Sequence, residues 1–164
     1  MHFAHLPAGY ITSTLLFERF KSHHVNYKLF MFWGMVGAIA PDFDLTYFYT
    51  LDFAQHYHHT FFTHFPIFWL SLFLISLLWL HLDKYRNQSP SFAIIFTLGG
   101  FIHMILDTIA NPILWLIPIE YKPISLLGYI PSEIRGVPHW ELFSELFVIL
   151  WAFYLWSQKR RELR

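Results

Sequence analysis

Apolar residues run along this chain in five blocks, each closed by a polar or proline-marked break. The first, about Leu6 to Phe20, holds Thr12, Ser13 and Thr14 and stops at Glu18-Arg19-Phe20-Lys21. The second, about Leu29 to Ala40, meets Pro41-Asp42-Phe43-Asp44. The third runs from Pro66, well placed for a first helical turn, to Leu82, with no Asp, Glu, Lys or Arg inside it. After the polar turn Asp83 to Pro90, the fourth extends from about Ser91 to Ile117, closed by Pro118. A Pro- and Gly-punctuated loop, Ile119 to Pro138, leads to the fifth, about Glu141 to Ser157, and a basic tail ending at Arg164.

Blocks this long without a charged stripe read as helices in lipid, not as faces of a soluble bundle. The expected fold is an all-α integral membrane bundle of four to five helices, some short or tilted. Twelve residues rise only about 18 Å against a hydrocarbon core of about 30 Å. With no internal repeat, low-complexity run or long linker, residues 1–164 read as a single membrane-embedded domain.

Composition narrows the function classes. The chain is 55% hydrophobic and 13% charged with zero formal charge, so it lacks the basic field of a nucleic-acid binder and no nucleic-acid partner is expected. It has no cysteine, which removes thiolate sites and disulfides together. The stretch Met1 to His5 lacks the basic region and apolar core of a cleaved leader. Histidine, at eleven residues, equals all acids combined and needs an explanation.

Positive charge supplies an orientation. If the five blocks alternate across the bilayer, Arg19, Lys21, Lys28, Lys84, Arg86, Lys159, Arg160, Arg161 and Arg164 share one side, and only Lys122 and Arg135 the other. That asymmetry puts the first side, with the C-terminus, in the cytoplasm. His23-His24 falls there too and is set aside. Asp42 to Phe65 then faces outward with His5, and Asp107 lies beyond the midpoint of the fourth helix toward the same side.

Chemistry concentrates on that outer side. His103 and Asp107, four residues apart, share one helix face. A carboxylate in hydrocarbon requires a partner: either a hydrogen-bonded pair tying helices together or a joint metal ligation. Gly99-Gly100, one turn earlier, permits close approach of another helix. Asp42 and Asp44 read either as a proline-aspartate turn with Asp42 capping the next helix, or as paired carboxylates neutralised by a cation, since no Lys or Arg lies between Lys28 and Lys84. His56, His58, His59 and His64 fall within nine residues. They are either interfacial histidines among aromatics or metal ligands, with His59 and His64 convergent if a turn falls between them. The run is not the His-Glu-x-x-His of zinc proteases. His5, His139 and Glu145 are weaker polar positions, and the many Phe and Trp residues read as lipid-facing packing and interface anchors.

Assembled in order, these residues resemble the LexA-regulated, membrane-bound, metal-dependent hydrolase family over most of the chain. The resemblance rests on His5-x-x-x-Gly9, Ala40-Pro41-Asp42-Phe43-Asp44, His58-His59 followed by Thr63-His64, and His103-x-x-x-Asp107. Where the family typically carries an Arg-Gly pair and a Ser, this chain has Thr60, Phe61 and Phe65. The His-x-x-x-Asp helix is also similar to that of zinc-dependent phospholipases C. The resemblance implies a hydrolase whose metal-activated water attacks a phosphoester, and the position of the site at the membrane boundary favours a lipid or lipid-linked substrate. His5, His58, His59, His64, His103 and Asp107 would be ligands, and Asp42 and Asp44 ligands or general bases. Nitrogen and oxygen donors favour one or more Zn2+, with Mn2+ or Fe2+ as alternatives. The rival readings are a non-catalytic scaffold with a structural metal and a metal transporter, which would need ligands on both sides.

Overall fold

A computed structural model describes residues 3–21, 24–84, 86–137 and 139–162. Met1, His2, Ser22, His23, Tyr85, Pro138, Leu163 and Arg164 lie outside the described residues. The chain folds as α1 (His5–Phe20), α2 (Tyr27–Ile39), a 3-10 turn (Ala40–Phe43), α3 (Asp44–Thr50), α4 (Pro66–Asp83), α5 (Ser89–Ala110), α6 (Ser132–Arg135) and α7 (Glu141–Glu162). Two further 3-10 turns, His58–Thr60 and Phe62–His64, bridge α3 and α4. Apart from one isolated antiparallel bridge, Ile113 with Ile124, the described residues hold no strand pairing.

Local chemistry sets the boundaries. The Asn26 side chain accepts the Leu29 amide at 3.1 Å and caps α2 two residues before the apolar block begins. Pro66 opens α4, and left-handed Lys84 (φ 51°) closes it. The fourth helix ends at Ala110, not Ile117, because Pro112 confines Asn111 to extended backbone (φ −129°, ψ 151°). The fifth runs past Ser157 to Glu162, since Lys, Arg and Glu are good helix formers.

α4 and α5 are each long and apolar enough to cross a membrane, about 27 and 33 Å at the helical rise. α5 is the central helix, half buried along its span against 22% for α4. α1 and α2 are indeed short, at 16 and 13 residues. Glycine lets α1, α2 and α5 approach closely. A Cβ on Gly99 would sit 2.7 Å from the Ala38 nitrogen and the Gly34 carbonyl, and one on Gly37 would collide with the Phe96 carbonyl. Phe17, Phe30, Met31 and Ile95 fill the core below this crossing.

The two ends of the bundle differ in chemistry. At one, the Asn26 amide donates to Gln88 Oε1 at 2.9 Å, and Lys159 Nζ lies 6.0 Å from the Tyr27 ring. These contacts gather the α1–α2 turn, the α4–α5 turn and the end of α7, where most cations lie. At the other end the start of α1, the end of α2, the start of α4 and the last turns of α5 meet.

Candidate metal centre

Four short segments bring one side chain each to that second end, and α5 brings two. His5 is the first residue of α1, and Asp42 sits in the 3-10 turn that Pro41 drives directly after α2. The turns at 58–60 and 62–64 present His59 and His64, and one helix face carries His103 and Asp107. His5, His59, His64, His103 and Asp107 are all buried, and Asp42 retains 26% side-chain exposure. Asp42 does not cap α3, whose N-terminal position is Phe43 with no side-chain bond.

The ring nitrogens converge on two carboxylates. His103 Nε2 lies 3.1 Å from Asp107 Oδ2 and 3.5 Å from Asp42 Oδ1. His59 Nε2 is 3.4 Å from Asp107 Oδ2, and His5 Nε2 is 3.3 Å from Asp107 Oδ1. His64 Nε2 is 3.6 Å from Asp42 Oδ1 and 4.0 Å from Asp107 Oδ2. Asp107 thus faces imidazoles with both oxygens.

Groups behind the rings fix which nitrogen points inward. His103 Nδ1–H donates to the Ala38 carbonyl at 2.8 Å, and His64 Nδ1–H donates to Asp44 Oδ2 at 2.8 Å. Both partners only accept, so each Nδ1 carries the proton and Nε2 is directed inward. The Thr63 hydroxyl donates to the same Asp44 oxygen. The His59 Nδ1–H donates to the Tyr57 hydroxyl at 2.8 Å, and that hydroxyl donates to Asn111 Oδ1 at 3.4 Å.

These residues fit a metal ion. His64 Nε2 and His103 Nε2 are buried with no hydrogen-bond partner, an arrangement costly for a ring nitrogen unless an ion takes its lone pair. Among the described residues three groups have ligand atoms within 4.8 Å of one another: His58, His59 and His64; His5, Asp42 and His103; and His64, His103 and Asp107. Two ligands sharing a tetrahedral ion at about 2.05 Å stand about 3.4 Å apart, close to the separations seen here.

Electrostatics follow from the packing. Burial drives Asp42 toward its neutral form, but contact with His64 and the charges of His103 and His5 outweigh it, and its carboxyl is held below the usual range. Burial likewise disfavours a charge on His64, yet Asp42 and Asp44 raise it to about 9. For His58 burial and the neighbouring His59 and His64 outweigh the charges of Asp44 and Asp42 and push it down to about 4. His59 is also lowered, chiefly by burial.

A cavity of about 260 Å³ opens over the cluster, lined among others by Asp42, Tyr49, Tyr57, His58, His59 and Asp107. Of the positions singled out in the sequence, Asp44 lies behind His64 instead of beside Asp42. His58 is half-buried in the cavity wall, its ring 3.9 Å from that of His59. His56 instead pairs with Asp52 at 2.6 Å. His139 and Glu145 sit outside the cluster, lining a neighbouring cavity of about 430 Å³, and His24 lies at the opposite end. Tyr57, Asn111 and the Ala38 carbonyl escaped the sequence reading. Tyr57 stands within the histidine run, but a backbone carbonyl leaves no mark in a sequence.

The model of the YdjM inner membrane protein family matches residues 1–163. The chain belongs to this family. YdjM membership agrees with the resemblance to a LexA-regulated membrane family and assigns the bundle to the inner membrane. No curated protein and no solved structure matches the chain.

Proposed function

We propose that this YdjM-family chain acts as one membrane-embedded, metal-dependent hydrolase domain on a phosphoester of a lipid or lipid-linked substrate. The observation that carries the reading is the convergence of four Nε2 atoms on Asp42 and Asp107 at the floor of an open cavity. A catalytic metal site keeps a position open to substrate, whereas a structural one is closed. His5, His59, His64, His103 and Asp107 are the ligands in this reading, with His58 at the rim. Asp42, ionised and facing the cavity, either ligates or accepts a proton from water. Asp44 holds the His64 ring through Nδ1, a positioning role. The donor set favours Zn2+, with Mn2+ or Fe2+ as alternatives. When bound, such an ion supplies Lewis acidity and a water acidic enough to act near neutral pH. Similarity of the His103-x-x-x-Asp107 helix to phospholipases C and the site's place at the end of the spans support a lipid phosphoester.

One observation favours a second reading. The ligand candidates come from α1, the turn after α2, the turn before α4, and α5, so a cation here would also staple four segments together. All three groups lie at one end, which speaks against a transport path. Protein purified in detergent without chelators is expected to carry metal by elemental analysis and to release phosphate from one of a panel of phospholipids. A metal-free parent protein would sink both readings; metal without phosphate release would leave the staple.

A further inference from the structure

Leu51 and Phe53 stand at the tip of the segment joining α3 to α4, 67% and 73% exposed. The backbone beneath them is unusual. Phe53 and Ala54 are both left-handed, with φ 51° and 57°. Turns of this kind ordinarily use Gly, Asn or Asp, and a side chain such as Phe pays roughly 1–3 kcal/mol to sit there. Asp52 clamps the turn from inside, accepting the His56 amide at 2.9 Å and pairing with the His56 ring at 2.6 Å. A strained, internally braced turn therefore holds two apolar side chains outward.

The surrounding surface has the same character. Between Asp44 and Phe65 the only Asp, Glu, Lys or Arg residues are Asp44 and Asp52, each with 7% side-chain exposure. The outer surface of the segment thus presents Tyr47, Tyr49, Leu51, Phe53 and Phe62 with no exposed Asp, Glu, Lys or Arg, and the exposed His56 ring is held against Asp52. Phe62 packs edge-on against Phe68 of α4, ring centroids 5.3 Å apart. Through that contact the surface joins the lipid-facing side of a candidate membrane span.

We propose that the Leu51–Phe53 turn is a membrane-seated wedge, buried at the boundary of headgroups and acyl chains in the bilayer that α4 and α5 cross. Apolar and aromatic side chains without charge are stable at that depth, where tyrosines keep their hydroxyls wet. Continuity with the span through Phe62 and Phe68 commits the surface to lipid. Tyr49 and Tyr57 of the same segment wall the cavity over Asp42 and Asp107, so seating the turn sets the cavity mouth at headgroup level. The wedge stands on the membrane fold and is independent of any hydrolytic activity.

The cysteine-free chain makes the test direct. Leu51→Cys and Phe53→Cys are each labelled with an environment-sensitive fluorophore in the full chain, reconstituted into phosphatidylethanolamine/phosphatidylglycerol vesicles. Leu78→Cys, on the exposed side of α4, is the lipid control, and Lys21→Cys, at the opposite end, the water control. Both turn positions are expected to lose iodide quenching to the level of Leu78→Cys and to be quenched by lipids bearing a nitroxide near the headgroup. Iodide quenching at the level of Lys21→Cys, with iodide on both faces of the bilayer, would overturn the wedge and point to a water-facing or protein-binding turn.

Discussion

The His5 ring lies flat on the His103 ring, centroids 3.7 Å apart at 14°, and both turn Nε2 toward Asp107. One ring enters from α1 and the other from α5, so a single carboxylate joins the two helices. Two stacked imidazoles repel if both are protonated. The arrangement is favourable when the rings are neutral and share an ion, or when the carboxylates balance whatever charge they carry.

Asp107 should therefore be the least replaceable residue of the cluster. Asp107→Ala removes the carboxylate that faces His5, His59 and His103 at once, and leaving buried polar groups without their partner costs roughly 1–3 kcal/mol. The expected result is metal content at background and a lower unfolding midpoint in detergent. Metal retained at the parental level would remove Asp107 from the ligand set.

Asp44 should behave differently from Asp42. Asp44→Asn leaves an acceptor for His64 Nδ1 but removes its charge, and losses of this kind weaken metal binding roughly 10- to 100-fold. Asp42→Asn, which alters an oxygen facing His64 and His103 directly, should cost more. Competitive titration against a chelator of known affinity measures both. Equal losses would place both aspartates in the same role.

Stability of the metal-free protein should depend on pH through His64. Its folded value of about 9 lies above the 6.5 of an unfolded histidine, because Asp42, Asp44 and Asp107 outweigh burial and face it alongside His58 and His59. A raised histidine contributes stability in full below about 6.5 and loses it as pH rises through about 9. The thermal midpoint of metal-stripped protein should fall across that window. Metal should remove the dependence, since it replaces the proton, and binding at pH 7 should release protons to the buffer. A flat midpoint in the stripped protein would contradict the placement of the two aspartates around His64.

Helix packing offers a test away from the site. A methyl group on Gly37 would overlap the Phe96 carbonyl, a backbone atom that cannot swing aside. Gly37→Ala should destabilise the bundle by about 1–3 kcal/mol, seen as a lower unfolding midpoint. Gly128→Ala, with open space around the position, should leave it unchanged.

Much of this was legible in the sequence, and the gaps have physical causes. Pro66 and the charge-free run behind it marked α4 to within a residue, because proline and lipid both leave plain signals. The end of α5 was misplaced because Ile113 to Ile117 is as apolar as the helix before it; Pro112 decided the matter through Asn111. Ile113 and Ile117 are buried against protein, which hydropathy cannot distinguish from lipid. The ligand candidates were visible as polar residues in an apolar setting. Their division of labour was not, since a spacing of two in a 3-10 turn does not reveal whether Asp42 or Asp44 faces inward.

Topology closes the chain of inference from charge to site. Contacts at Asn26, Gln88, Tyr27 and Lys159 place the basic segments at one end of the bundle, opposite His5, His64 and Asp107. Eight of the ten described Lys and Arg residues belong to that basic end, and such residues remain cytoplasmic during insertion. A reporter fused after the C-terminus should therefore be active only as a cytoplasmic fusion, and one inserted at Gln55 only as an external one. Adding lysines beside Gln55 should weaken this bias, whereas Lys122→Gln should strengthen it. An external C-terminus would turn the cavity toward the cytoplasm while leaving the geometry of the His/Asp cluster intact.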